Sequence, residues 1–551
     1  MDLEDDEEKE MQHGTVESPE TRLDALVVGS GFAGIYACYS LSKLGLRFAC
    51  VDNAGDVGGT WYWNRYPGAM SDTHSHIYRF SFDEEDYQNY PFTHNYVNQA
   101  EILAYLRHVV DRHDLRKYMQ FNTELRSAVF NEETNTWRAI MHTGQTFVVR
   151  YFVSAMGLLS QPIYPDIAGL HDFKGTVVHT AAWKDDLDLR GKRVALIGNG
   201  STGVQVTTKI AAQVASLTCF VRHPQYVVPA GYREFPLKQR QDINSNYSEF
   251  WNKVRRSAVG FGFPESTQSF ASATPEEREL VFEKLWSDGN GFWFLLGGFN
   301  DITTNLEANE FAAEFVRRKI RNIIQDPDKA RVLTPNDYYA RRPICGNFYY
   351  EQFNRDNVRV VDLKENPITA VTERGITVSG SVEYEFGTII LATGFDALDG
   401  NYTRLHISGR HNKSIKEHWS KNVTSFCGVM LSGFPNMFMI LGPQSPFANN
   451  PPVIESQVDL IMAVIKRSEA LRNDSGYAGV VETTLEAELE WAQRCEDAVG
   501  DSLFKKTSSW IFGGNVPGKV FATRFFFAGL GMYREFVESS IKQGWRGIGF
   551  T

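Results

Sequence analysis

Asp24-Ala-Leu-Val-Val-Gly29-Ser-Gly31-Phe-Ala-Gly34 is the stretch of sequence that decides the fold. Its apolar run predicts a buried parallel strand, and the G-x-G-x-x-G pattern that ends the run is typical of a turn that binds a dinucleotide. Further along the chain, residues 33–44 have a helical pattern and residues 46–51 predict a second strand. The sequence therefore predicts a βαβ unit of the dinucleotide-binding kind.

Each glycine of this turn has its own expected role. Gly29 permits the tight turn, Gly31 lets the backbone approach a pyrophosphate, and Gly34 lets the helix pack against the strand. The phosphates then lie at a helix N-terminus, where free N–H groups favour negative charge. Asp52 follows the second strand and is expected to accept hydrogen bonds from an unphosphorylated ribose. FAD or NAD is therefore predicted here.

A second unit begins at Arg193-Val-Ala-Leu-Ile-Gly198, with a helix expected from residue 202 to about 214 and a strand over 217–221. Arg222 and His223 follow that strand, at the place where an acid would bind a ribose hydroxyl. A cation there suits a 2′-phosphate and favours NADP, unless Arg222 is an ordinary exposed cation. The other residues expected to bind this nucleotide are Gly198, Gly200, Thr202, Gly203 and, towards the nicotinamide, Gln205.

Two nucleotide units on one chain predict an α/β fold with two dinucleotide-binding domains. Residues 22–160 and 385–551 are predicted to form a discontinuous FAD-binding domain, with the chain returning to it at the strand signal of residues 388–391. Residues 161–384 are predicted to form the NADP-binding domain, with a mainly helical insertion over about 230–335. No further repeat is expected.

Composition excludes several classes of function. The net charge is −11, but residues 1–20 hold nine acids and one lysine, so residues 1–21 are predicted to be a disordered acidic tail. The rest of the chain has no strong field for nucleic acid or a membrane surface. The six cysteines are scattered, which predicts reduced thiols, no metal site and a cytoplasmic location. The sequence predicts no membrane span and a monomer.

One short motif between the two units indicates the type of reaction. Phe173-Lys-Gly175-Thr-Val-Val-His179-Thr-Ala-Ala-Trp183 resembles the F-x-G-x-x-x-H-x-x-x-W fingerprint of type I Baeyer–Villiger monooxygenases. Two other stretches agree with the family pattern, Gly58-Gly-Thr60-Trp61-Tyr-Trp-Asn-Arg-Tyr66-Pro67-Gly68 followed by Asp72, and Ala392-Thr-Gly394-Phe-Asp396. The resemblance runs from about residue 22 to the C-terminus and is closest to the cyclohexanone monooxygenases.

The resemblance implies a flavoprotein that uses FAD, NADPH and O₂ to convert a ketone, cyclic or related, to a lactone or ester through a C4a-peroxyflavin. By the family pattern, Arg342 is the cation that stabilises this species and Asp72 is the carboxylate that holds it, although the two could instead be a structural ion pair. Trp510 matches a loop tryptophan that closes over the nicotinamide, or is a core residue. The remaining expected cofactor contacts, some of which could be mere packing, are Thr60, Trp61, Tyr78 and, near the NADP phosphate, Arg341.

By the family pattern, the fingerprint residues are expected to couple the two domains by hydrogen bonds. For His179 a direct cofactor contact is the alternative, and it is not expected to act as a catalytic base. Lys184, directly after the fingerprint, departs from the family and is interpreted as a tolerated surface change. The loop over 446–450 corresponds to part of the substrate pocket, represented by Phe447, Ala448 and Asn450. Asn450 stands where the cyclohexanone enzymes have an aliphatic residue, so cyclohexanone itself is not transferred as the substrate.

Three alternative functions are weighed against this one. A flavin monooxygenase that oxidises sulfides or amines shares much of the pattern, but Trp183, Arg342 and Asp72 favour ketone chemistry. A disulfide reductase would need a redox cysteine pair where this chain has Gly58-Gly-Thr60-Trp61. A sensor that only binds flavin or NADP would be free to lose the cation and its carboxylate, and both are present.

Overall fold

The computed structural model describes residues 20–472 and 476–551. Most of the segment predicted to be a disordered acidic tail lies outside the described residues. The described chain is built around two sheets whose central strands are parallel, and helices connect their strands. The predicted α/β fold with two dinucleotide-binding domains is confirmed.

The first sheet contains the opening stretch of the sequence. Its central strand, Thr21–Val28, pairs in parallel with Phe48–Val51 on one side and with Thr146–Ser154 on the other. The helix Phe32–Leu44 lies between the first two strands, which is the predicted βαβ unit. The other strands of this sheet are Met119–Gln120, Leu125–Asn131, Thr136–Met141, His406–Ser408 and Met437–Met439.

The second sheet is parallel throughout. Its order is Val358–Asp362, Ser216–Val221, Arg193–Ile197, Thr388–Leu391 and Thr176–His179. The helix Ser201–Ile210 follows the central strand and is shorter than the sequence predicted. Three antiparallel strands, Ile368–Val371, Gly375–Val378 and Val382–Glu385, form a separate small sheet.

The place where the chain leaves the second sheet differs from the prediction. Thr388–Leu391 was assigned to the first domain, but it lies between Arg193–Ile197 and Thr176–His179 and is fully buried there. A mainly apolar strand fits an interior position of either sheet equally well, so the sequence alone could not assign it. The boundary predicted at residue 385 is therefore too early, and the chain crosses over after Leu391.

Helices supply the remaining framework. Between the short strand pair Val227–Val228 and Ile344–Cys345, the regular elements are helical, as predicted for the insertion: Leu237–Ser245, Tyr247–Arg256, Pro275–Asp288, Gly291–Leu296, Leu306–Ile323 and Pro327–Leu333. The other α-helices are Thr60–Trp63, Glu84–Asn89, Gln99–Arg112, Gly400–Thr403, Ile415–His418, Asn450–Leu471, Leu485–Val499 and Gly529–Lys542.

Two further strand pairs join Ser445–Pro446 to Phe525–Phe526, and Val481–Thr483 to Ile548–Phe550. Within residues 20–472 and 476–551, no helix is long and apolar enough to cross a membrane.

Candidate active site

Both glycine turns open into one cleft with a cavity volume of about 1380 Å³. The carboxyl ends of Thr21–Val28 and Arg193–Ile197 meet at its wall, where ligands bind in sheets of this type. The linker that follows Leu391 also lines the cleft, through Ala392, Thr393, Gly394 and Phe395. One continuous space therefore connects the two predicted nucleotide sites.

The first turn leaves no room for a side chain at Gly29 or Gly34. Gly29 has a φ of +107°, and a Cβ on it would lie 2.4 Å from the carbonyl oxygen of Ala155. A Cβ on Gly34 would lie 1.8 Å from the oxygen of Gly29, and one on Gly59 would lie 2.9 Å from Cα of Gly31. These close approaches put bare backbone at the start of the helix Phe32–Leu44, which is the cradle a pyrophosphate needs. The residues of this turn fit FAD.

Asp52 lies at this turn, as predicted, but it has partners that the sequence did not reveal. Its Oδ2 accepts hydrogen bonds from the backbone N–H of Ser30 at 2.6 Å and the Ser30 hydroxyl at 2.7 Å. Its Oδ1 accepts from the N–H of Ala54 at 2.8 Å. A carboxylate offers about four acceptor positions, so one remains for a ribose hydroxyl. Asp52 thus stabilises the glycine turn, in addition to its expected role as a hydrogen-bond acceptor for a ribose.

The second turn repeats the first with more open space. A Cβ on Gly198, whose φ is +104°, would lie 2.4 Å from the oxygen of Ala392, and one on Gly203 would lie 2.3 Å from the oxygen of Gly198. Gly200 has nothing within 4 Å of its hypothetical Cβ, so the backbone there faces open space. Thr202 lies in the first turn of the helix Ser201–Ile210 and lines the cleft. This arrangement fits a second pyrophosphate.

Gln205 connects the two halves of the molecule. Its Oε1 accepts a hydrogen bond from the hydroxyl of Tyr66 at 2.8 Å, and its Nε2 donates to the backbone oxygen of Met70 at 3.0 Å. A Cβ on Gly68 would lie 2.7 Å from the backbone oxygen of Gln205. The side chain lines the cleft, as expected of a nicotinamide neighbour, but both of its polar ends are held by the segment that leads to Asp72. Sequence spacing gave no sign of this contact.

Arg342 and Asp72, which are 270 residues apart, form a two-pronged ion pair with N···O distances of 2.5 and 2.9 Å. Their side chains are 28% and 22% exposed and line the cleft. The guanidinium also lies 5.7 Å from the ring centre of Phe292. Burial alone would lower the pKa of Arg342, but Asp72 more than offsets this and the net pKa is above its ordinary value. Asp72 therefore fixes the Arg342 cation, whose planar group cannot rotate freely.

Aromatic residues surround this cation. The indole N–H of Trp61 donates to the hydroxyl of Tyr78 at 3.1 Å, and burial raises the pKa of that phenol. Phe447 packs between Phe292 and Phe525, with ring-centre distances of 6.1 and 5.3 Å. Other predicted contacts that line the same cleft are Thr60, Ala448, Asn450 and Trp510. The structure therefore brings the predicted flavin and substrate residues to the same cleft that Arg342 lines.

Arg222 and Arg341 line the same cleft beside His223, next to the carboxyl end of Ser216–Val221. Arg341 forms an ion pair with Asp337 at 2.5 Å. Burial lowers the pKa of His223, and Arg341 and Arg222 lower it further. This end of the cleft is a cationic cluster with one neutral imidazole, which suits a 2′-phosphate.

The fingerprint lies against the linker between the two sheets. His179 is buried, its Nδ1 accepts from the N–H of Ala181 at 3.0 Å, and its ring lies 6.0 Å from that of Phe395. Burial lowers the pKa of His179 to about 4. Phe173 is buried in the core, Trp183 is half-buried, and a Cβ on Gly175 would lie 2.5 Å from the Phe173 ring. Lys184 is exposed. A neutral, buried imidazole supports a role in organising the linker.

The segment that carries Trp510 is tied to the linker by buried charges that sequence reasoning missed. Arg524 is 0% exposed and binds Asp399 at 2.9 Å through Nε. The same guanidinium donates to the backbone oxygens of Phe512 at 2.6 Å and Val520 at 2.8 Å. Lys519 lies 2.8 Å from the same Asp399 carboxylate. No local motif marks these charges, because the carboxylate that Arg524 and Lys519 share, that of Asp399, lies more than 100 positions away.

Two dinucleotide cradles that share one cleft with a fixed cation define a flavoprotein oxygenase. The sequence profile of the flavin-binding monooxygenase-like family matches residues 24–233. A Baeyer–Villiger monooxygenase of Pseudooceanicola batsensis is 45% identical over 95% of this chain and 96% of its own length. A phenazine N-monooxygenase of Lysobacter antibioticus is 44% identical over 94% and 95%.

A solved structure agrees with these relatives. The cyclohexanone monooxygenase from Rhodococcus sp. Phi1 bound to NADP⁺ has a TM-score of 0.95 and 47% identity, over 97% of this chain and 100% of that one. The chain belongs to the family of Baeyer–Villiger flavoprotein monooxygenases. It is an enzyme that uses FAD and NADPH, as the sequence predicted.

Proposed function

We propose that this enzyme oxidises cyclic ketones to lactones with NADPH and O₂. The observation that carries the proposal is the two-pronged pair of Arg342 and Asp72 in the wall of a cleft that both nucleotide turns share. Reduced FAD, when bound, supplies the electrons that activate O₂. The residues that would hold it are those of the first turn, with Asp52, Thr60, Trp61 and Tyr78 beside them.

Arg342 supplies the positive charge that this reaction requires. Insertion of oxygen next to a carbonyl develops negative charge on oxygen, and a preorganised cation stabilises that charge without reorganisation. Asp72 holds both nitrogens of one edge of the guanidinium, so the position and plane of the cation are fixed before substrate enters. We propose Arg342 as the catalytic residue and Asp72 as its positioning carboxylate.

The walls of the cleft would keep water from the reacting groups. Phe292, Phe447 and Trp510 are large apolar side chains that line it, and the Phe292 ring centre lies 5.7 Å from the Arg342 guanidinium. Water that reaches the site would divert the reduced flavin and O₂ to hydrogen peroxide. We propose that Trp510 covers the nicotinamide, with Gln205 next to it, and that Arg222 and Arg341 bind the 2′-phosphate.

Oxidation of an aromatic nitrogen is the second candidate. A relative that is 44% identical is a phenazine N-monooxygenase, and the aromatic wall of Phe261, Phe292 and Phe447 offers flat faces on which a ring system could stack. The two reactions differ in what they need from the site. A nitrogen lone pair attacks oxygen directly and leaves no tetrahedral oxyanion, so it depends less on Arg342.

We further propose that the enzyme is a cytoplasmic monomer, with residues 22–160 and those after Leu391 forming the FAD-binding domain. The six cysteines are buried and free, which supports a reducing compartment. Size-exclusion chromatography with light scattering would test the monomer, and a stable dimer would contradict it.

The function is tested with FAD-loaded enzyme, NADPH, O₂ and a panel of cyclic, linear and aryl ketones, together with phenazine. Mass spectrometry would detect products heavier than the substrate by one oxygen atom. We expect a lactone from at least one cyclic ketone and loss of that product in R342A. N-oxide formation without any ester or lactone would favour the second candidate. Hydrogen peroxide as the sole product of the whole panel would contradict both.

A further inference from the structure

The cationic end of the cleft contains a titratable group that the proposed function does not use. His223 lies two residues after the strand Ser216–Val221, at the end of the cleft where the adenosine ribose of the second nucleotide is expected. It is half-buried and lines the cavity together with Arg222, Gln225 and Arg341. A phosphate bound by the two arginines would therefore lie close to this imidazole.

The charged side chains around His223 come from several segments of the predicted NADP-binding domain. Arg222 is its neighbour in the chain, Arg341 and Asp337 come from the segment after the insertion, and Lys364 follows the neighbouring strand Val358–Asp362. Three of these four groups are cations that disfavour a second positive charge, and only Asp337 favours one. Burial and these cations hold the pKa of His223 below its ordinary value of 6.5. The free site therefore keeps the imidazole neutral near pH 7.

While His223 is neutral, Asp337 reduces the positive charge that this end of the cleft offers to a phosphate. Its carboxylate is already paired with Arg341 at 2.5 Å, so part of the charge of that arginine is compensated before any ligand arrives. A dianionic phosphate placed beside Arg341 would also lie near this carboxylate and be repelled by it. A proton on His223 would offset that repulsion and add a donor to the phosphate oxygens.

We propose that His223 takes up a proton when the 2′-phosphate of NADP(H) binds, so that this enzyme couples cofactor affinity to pH. The inference rests on the proposed role of Arg222 and Arg341 and adds a third, switchable ligand to them. NAD(H) lacks the 2′-phosphate and would leave His223 neutral.

The direction of the pH effect follows from linkage. Because the phosphate raises the pKa of His223 in the complex, the extra affinity is absent at high pH and grows as pH falls through the pKa of the bound state. It levels off below the pKa of the free state. Each unit of difference between the two pKa values corresponds to about tenfold in affinity. The phosphate itself takes up a proton near pH 6, which opposes the gain at the acid end.

Isothermal titration calorimetry of FAD-loaded enzyme with NADP⁺ and NAD⁺ tests the inference. Titrations between about pH 5.5 and 8, in buffers of different ionisation enthalpy, give the number of protons bound with the ligand. We expect wild type to take up as much as about one proton more than H223N with NADP⁺, and no difference with NAD⁺. H223K should bind NADP⁺ tightly at all these pH values without the additional uptake.

Two controls make the outcomes separable. His171 is exposed and lies outside the cleft, so H171N should titrate like wild type. Unchanged NAD⁺ binding in H223N would show that the site is still folded. Proton uptake that is the same in wild type and H223N, with NADP⁺ still preferred over NAD⁺, would overturn the role of His223 alone. Equal affinity for NADP⁺ and NAD⁺ in wild type would instead overturn the phosphate site.

Discussion

Replacing Arg524 by methionine tests how the Trp510 segment is held over the cleft. The guanidinium is fully buried, binds Asp399 through Nε at 2.9 Å, and donates to the backbone oxygens of Phe512 and Val520 at 2.6 and 2.8 Å. Methionine fills a similar volume but cannot donate. The two carbonyls would lose their buried partners, while Asp399 would keep Lys519 at 2.8 Å.

The cost can be worked from these contacts. A buried carbonyl left without its donor costs about 1–3 kcal/mol, so two such groups give about 2–6 kcal/mol before relaxation. Because Lys519 still compensates Asp399, we expect about 3 kcal/mol, which is about 100-fold in a local opening equilibrium. D399N should cost more, because it leaves the buried cation of Arg524 without a carboxylate.

Native-state hydrogen exchange is the assay that resolves this effect. Amides of residues 509–524 should exchange about 100-fold faster in R524M, with little change in the core strands of either sheet. A looser segment should also release more hydrogen peroxide per NADPH consumed. R546M, which removes an exposed pair with Glu490, is the matched control and should change neither measurement. Unchanged exchange over residues 509–524 in R524M would refute the reasoning.

Four further predictions concern the cofactors and the substrate. R342A should keep FAD bound and reducible by NADPH but lose lactone formation by about 100-fold or more, and normal lactone output would contradict its role. R222A should weaken NADPH binding far more than NADH binding in fluorescence titrations, and equal losses would remove the 2′-phosphate assignment. G34A should be purified without FAD, because the new Cβ would lie 1.8 Å from the oxygen of Gly29. N450L should change kcat/KM for 4-methylcyclohexanone relative to 4-hydroxycyclohexanone by about tenfold in favour of the methyl compound, and an unchanged ratio would place Asn450 away from the substrate.

The local patterns of the sequence predicted much of this molecule correctly. The two glycine turns, their strands and helices, and the helical insertion are encoded by short-range periodicity and by glycines, of which Gly29, Gly34, Gly198 and Gly203 stand where no Cβ would fit. The family resemblance identified Arg342 and Asp72 as a pair, and the structure places them in direct contact. These features can be predicted from the sequence because each depends on neighbouring residues or on a pattern shared with a family.

Other features depend on contacts between distant segments, and only the tertiary structure decided them. The strand Thr388–Leu391 is apolar enough for either sheet, and only its pairing assigns it to the second. Gln205 is held by Tyr66 and Met70, and Arg524 by Asp399, through contacts that span more than 100 residues and leave no periodic signal. Sequence alone determined which elements form and where the two glycine turns lie, because those are local properties of the backbone. How the linker, the Trp510 segment and the cationic cluster around His223 meet was decided by packing, because the partners of these charged side chains come together only when the chain is folded.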